Sequence, residues 1–425
     1  MHSRAKSSTI NPKGQGTMSR QTIRIITVVC VSAVLIGCVP ALPTAAPTLP
    51  AETPALAALP PLPTPLQEEA AESAEAIVHR LVSAKLAALQ AKDIDGYLTL
   101  LDMSDPEYLT EQRNWFLIYQ DAVTADFAIE VVHVEEIDAT TIVATLDQHY
   151  LYGPEKADRQ VSYEAKYSLT PAGWKEADLN YREIETPHFV IKYQAEVEDK
   201  AGELREEAEK AYASVVEKLG LLPNGKTTLK LFADQELLRQ NTDIRVAYLF
   251  NGWAESNESI KLYARREKEA FARVIAHELT HEITLEITDS LNSWLAEGLA
   301  NYFGSDPFRG GNVLELGNYT AEELAQPISW LEEITLIELS DTRTIGLYYA
   351  VSSMVVEFMV DTYGLEKIHA LLTELAKYPR YGRGYDYAGM EQENQVRLHQ
   401  AIETVLGVKM DTFNQQWLDW IRSQQ

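Results

Sequence analysis

His277-Glu278-Leu279-Thr280-His281, followed sixteen residues later by Glu297 within Trp294-Leu295-Ala296-Glu297-Gly298-Leu299-Ala300-Asn301-Tyr302, is the stretch on which the fold turns. Residues 267–287 carry apolar side chains on most sides (Phe271, Val274, Ile275, Leu279, Ile283), which predicts a buried helix. Residues four apart on a helix lie one above the other, about 6 Å along the axis. The imidazoles of His277 and His281 can therefore reach one metal ion together. Glu278 is turned aside by about 100°, so it faces a water at the metal rather than the metal itself. Zinc lowers the pKa of such a water towards ~7, and a carboxylate beside it can take the proton. With nine histidines in 425 residues, this spacing arises by chance on the order of once in fifty such chains. The reading therefore turns on a third ligand.

A second helix follows, with Asn292 or Ser293 as its cap. Together the two segments resemble the peptidase MA-like branch of the gluzincin zinc metallopeptidases, distantly similar to aminopeptidase N and thermolysin. In those families the glutamate of the second helix is the third zinc ligand. The resemblance thus implies one Zn2+ per chain held by His277, His281 and Glu297, with water in the fourth position. The metzincin pattern needs a glycine where Thr284 stands and a histidine where Ile287 stands, so that branch is rejected.

Asn301 matches a family position that hydrogen-bonds a ligating histidine; a solvent-facing asparagine fits the residues equally well. Residues 346–364 resemble the helix whose leading tyrosine stabilises the oxyanion. This implies Tyr349, with Tyr348 as the alternative one position away. Residues 413–421 resemble the closing helix, so the likeness runs over 186–425. Aminopeptidases of this clan carry a Gly-Ala-Met-Glu-Asn motif. Here Gly252-Trp253-Ala254-Glu255-Ser256 keeps only its first and fourth positions, so N-terminal trimming is not implied.

The expected activity is hydrolysis of peptide bonds in peptide or protein substrates. Glu278 serves as general base and then acid, and Tyr349 donates to the oxyanion. Endopeptidase cleavage is expected, with an extended substrate paired to an edge strand at 260–264. The alternative is a non-catalytic surface binding protein on a degenerate peptidase scaffold, which would have no need of Glu278. A structural stalk is a third reading.

Working towards the N-terminus, 188–194, 227–233 and 260–264 read as strands and 197–219 as a charged amphipathic helix. Before them, helices are expected over 68–91, 94–101 and 107–122. Strands are expected over 127–131, 141–146 and 161–169, with Pro171-Ala172-Gly173 as a turn. Helices first and a curved antiparallel sheet after resembles the SnoaL-like cone of the nuclear-transport-factor type. His79, His133 and His149 lie here at no ligand spacing and read as ordinary surface or core histidines. The expected fold class is α+β: a cone-like domain over 68–182, then a zincin-fold domain over 186–425 with a small mixed sheet and a mostly helical C-terminal part.

Arg20 and Arg24 precede an apolar run over 25–36 that is too short for the roughly 20 residues of a spanning helix. It ends in Gly37-Cys38, which resembles the bacterial lipobox. That implies a signal peptide over 1–37, starting at Met1 or Met18, and acylation of Cys38. Prolines at 40, 43, 47, 50, 54, 60, 61, 63 and 65 make 38–67 an extended spacer. The implied location is the extracytoplasmic face of a bacterial cell membrane, on a lipid anchor. Cys30 and Cys38 are the only cysteines, so no thiolate site exists beyond them. A formal charge of −26 argues against nucleic acid and against a polybasic membrane patch.

Overall fold

Strong period-two patterning in the first half of the chain folds into a four-stranded antiparallel sheet of consecutive hairpins: β1 (Ala128–Asp138), β2 (Thr141–Tyr152), β3 (Ala157–Thr170) and β4 (Gly173–Leu179). The computed structural model of the chain describes residues 72–122, 127–152, 157–244, 250–264, 268–304, 319–381 and 387–424. The expected signal peptide, Cys38 and the expected spacer lie outside the described residues. Ahead of the sheet come α1 (Ala74–Ala91), α2 (Ile94–Leu98) and α3 (Pro106–Ala122). Ile77, Val78, Leu81 and Val82 of α1 pack on Ile129, Ile142, Ala144, Leu146, Ala165 and Tyr167, the inward set of the alternating strands. Gly173 begins β4 with φ +92°, a left-handed conformation that explains a glycine at this tight reversal.

A second, mixed sheet is assembled from β5 (Arg182–Glu185), β6 (Phe189–Tyr193), β7 (Thr227–Phe232), β8 (Gly252–Trp253) and β9 (Ile260–Tyr263), in the order β5-β6-β7-β9-β8. The β6–β7 and β7–β9 pairs are parallel; the outer pairs are antiparallel. Helix α4 (Glu198–Leu219) makes the first crossover and α5 (Gln235–Gln240) lies in the second. Strand 260–264, expected at the sheet edge, is internal: β7 pairs on one side of it and β8 on the other. The edge beyond it is β8, whose two residues are too few to leave a periodic signal in the sequence.

The remainder is helical: α6 (Lys268–Ile287), α7 (Ser293–Phe303), α8 (Ala321–Leu324), α9 (Ile328–Glu332), α10 (Thr342–Tyr363), α11 (Leu365–Leu375), α12 (Tyr387–Leu406) and α13 (Met410–Ser423). The class is α+β. Ile191, Leu229, Leu231, Ile260 and Leu262 share one large core with α4, α6, α7, α10 and α13. The alternate residues of β7 and β9 point the other way. There Phe232 packs with Val161, Leu179, Leu237 and Leu238, so both faces of the sheet are covered. The described residues all belong to one compact unit. Among the described residues no helix is long and apolar enough to cross a membrane.

Candidate metal centre

Helix α6 is buried along most of its length because Phe271, Ile275, Ala276, Leu279 and Ile283 fill the core between α4 and α7. That placement turns His277 and His281 towards Glu297 of α7. Asn292 caps α7, its Oδ1 accepting from Leu295 N at 3.3 Å. Ser293 gives its N–H and hydroxyl to Glu391 of α12 instead, at 3.1 and 2.8 Å. Two glycines let the helices close on one another. A Cβ at Gly304, just past α7, would lie 2.7 Å from His277 N, and one at Gly298 would lie 2.5 Å from Ser352 O of α10.

The structure brings His277, His281 and Glu297 together. The two Nε2 atoms are 3.2 Å apart, and Glu297 Oε2 lies 3.3 Å from the first and 3.6 Å from the second. Ligands at zinc's usual 2.0–2.1 Å in a tetrahedron are separated by about 3.3–3.4 Å, so this triangle has the dimensions of one face of a zinc site. The donor atoms fit as well. Glu297 Oε2 is buried without a hydrogen bond, and a metal would satisfy it. Burial opposes charge on Glu297, but the imidazoles of His281 and His277 outweigh it and hold the carboxyl well below the usual carboxylate range.

Glu278 stands beside this triangle without joining it. It is only 7% exposed. Burial pushes its carboxyl up to about 7, with His277 pulling down and Glu297 adding to the rise. Its side chain lies against the backbone of Gly252 on β8, where a Cβ would come within 2.7 Å of Glu278 Cγ and nearer still to Oε1. In sequence, Gly252 was visible only as the first residue of a mostly unmatched motif.

Tyr349 sits near the site, its ring centroid 6.5 Å from that of His277, whereas Tyr348 is 1% exposed and packs beside Trp330. Asn301 donates from Nδ2 to the carbonyl of Glu297 at 2.8 Å, a bond within its own helix. The hydrogen bond to a ligating histidine that the resemblance implied is therefore not the contact seen for Asn301. His79, His133 and His149 take no part in the cluster.

No protein-family model and no curated protein sequence matches the chain.

Proposed function

We propose that the chain is a zinc metallopeptidase of the gluzincin type that cleaves extended polypeptide internally. The observation that carries this reading is the triangle of His277, His281 and Glu297, with a buried carboxyl, Glu278, held next to it but outside it. A zinc ion bound by those three would supply a Lewis acid to polarise the scissile carbonyl and acidify a water.

The protein's own groups do the rest. Glu278, poised by burial near neutrality, takes the proton of the attacking water and returns it to the departing amine. Tyr349, rather than the packed Tyr348, donates a hydrogen bond to the oxyanion as the carbonyl is attacked. An extended substrate runs along the outer side of β8, pairing through backbone groups rather than through a captured terminus. The chain does this outside a bacterial membrane, tethered through Cys38 with 38–67 as spacer.

The test combines metal analysis with digestion of matched peptides bearing free and acetylated N-termini. One zinc per chain and equal cleavage of both peptides at internal bonds are expected, with Glu278→Gln retaining zinc and losing turnover. A zinc-loaded chain that binds these peptides and cleaves none would replace this reading with the binding-scaffold one. Loss of cleavage on acetylation, with single residues released from free peptides, would make the enzyme an aminopeptidase. Retention of Cys38→Ala in the membrane fraction would overturn the anchor.

A further inference from the structure

Five charged side chains lie between α3 and the mixed sheet: Glu111 of α3, Asp178 of β4, Lys230 of β7, Glu258 before β9, and Lys261 of β9. All but Asp178 have side chains no more than 6% exposed. Glu111 touches both lysines, at 2.6 Å from Lys230 and 3.3 Å from Lys261. The same carboxyl accepts the Ser259 N–H at 3.1 Å and the Ser259 hydroxyl. One turn along α3, Asn114 donates to Glu258 at 2.5 Å, and Lys261 holds the other oxygen of Glu258 at 2.7 Å. Burial lowers Lys230 and Lys261, but the carboxylates around them outweigh it and keep both raised.

The contacts of Glu111 and Asn114 with Glu258, Ser259 and Lys261 converge on one place. Glu258 and Ser259 end the turn between β8 and β9, and Lys261 pairs across the hairpin with Trp253. Its neighbour Gly252 bears on Glu278. A helix from the first half of the chain thus grips the far end of the hairpin whose near end abuts the candidate base. Charges this deep are costly to bury, and that cost falls away only when the partners are in register.

We propose that Glu111 and Asn114 are positioning residues for the candidate active site: by clamping Glu258 and Ser259 they fix the β8–β9 hairpin, and through Gly252 the Glu278 carboxyl. The kinetic part of this rests on the peptidase reading; the structural part does not.

The experiment compares Glu111→Gln, Asn114→Ala and Asn114→Gln with the wild-type full chain, by hydrogen exchange, zinc titration and peptide kinetics. In Glu111→Gln and Asn114→Ala, amides of 250–264 exchange about tenfold faster while those of α6 and α7 do not change. Zinc affinity holds, and kcat falls by about tenfold. Asn114→Gln, which keeps the amide donor, recovers most of both. Asn114 is only partly buried, so its variants serve even if Glu111→Gln fails to fold. Unchanged exchange in 250–264, or faster exchange spread evenly through α6 and α7, overturns the proposal. If the zinc-loaded wild type cleaves no peptide, the peptidase reading falls, and exchange and its rescue alone decide the clamp.

Discussion

The backbone of Gly252 and the carboxyl group of Glu278 are in direct apposition, with no space between them for a side chain at 252. Val274 closes the same gap, its Cγ1 lying 2.7 Å from where a Cβ would stand. Gly252→Ala must therefore move Glu278 or the strand. A displacement of about 1 Å at a reacting group costs on the order of a hundredfold in rate. Peptide turnover in Gly252→Ala is expected to fall by tenfold or more with zinc affinity preserved, because the atoms nearest a Cβ at 252 belong to Glu278 and Val274 and not to the three ligands. Wild-type kinetics in this variant would show that Glu278 is not the group the strand positions.

Metal should stabilise the fold through the three ligands. A ligand at about 100 times its Kd adds roughly 2.7 kcal/mol to the folded state. Thermal unfolding with added zinc should shift upward in the wild type and in Glu278→Gln. It should not shift in His277→Ala or Glu297→Ala. A shift retained in Glu297→Ala would remove that residue from the ligand set.

Glu282 of α6 supplies a pH prediction for the metal-free protein. Its Oε1 accepts from the Thr227 hydroxyl at 3.1 Å, while its Oε2 is buried without a partner. Burial pushes the carboxyl up to about 8, with Glu286 and Glu107 adding to the rise. A group raised on folding contributes fully below its unfolded value and loses that contribution as pH rises through the folded one. Stability should thus decline between about pH 4.5 and 8, by at most about 1.4 kcal/mol per pH unit from this residue. Glu282→Gln should flatten that decline and raise stability at pH 8. Denaturant midpoints at pH 5 and pH 8 in both proteins measure it; identical slopes would count against it.

Gly298 sits where α7 crosses α10, with Ser352 O at 2.5 Å and Val356 Cγ2 at 2.9 Å from a would-be Cβ. A backbone carbonyl cannot swing aside as a flexible side chain can. Gly298→Ala should cost about 1–3 kcal/mol, read as a lower denaturant midpoint, and should weaken zinc binding because Glu297 is its neighbour. An unaltered midpoint would mean that the helices separate freely.

The candidate site was legible where local spacing carries the geometry. His277 and His281 are neighbours because helical period makes them so, and Glu297 was reached through the resemblance of its flanking residues. Sequence reading failed where a contact joins distant segments. Gly252 belongs to a two-residue strand with no period to detect, and so 260–264 was assigned to the edge. Glu111 and Ser259 are 148 residues apart. A signal for their union was nonetheless present: Lys230 and Lys261 each sit inside strands that otherwise read as buried. A lysine at an alternate position there either faces solvent or requires a buried acid, and the choice is made by whatever covers the second face.

The α3 network also bears on how the chain comes to be folded. Lys230 meets Glu111 across 119 residues of intervening chain, and Ser259 meets it across still more. Contacts of such separation form late and slowly, because long loops must close before any reward arrives. Until α3 docks, closing the second sheet would strand two ammonium groups without their shared counter-ion. The two halves should consequently unfold as a single cooperative event. A fragment beginning near Thr186 would not be a smaller folded domain but an unstable sheet with a cationic, uncovered back.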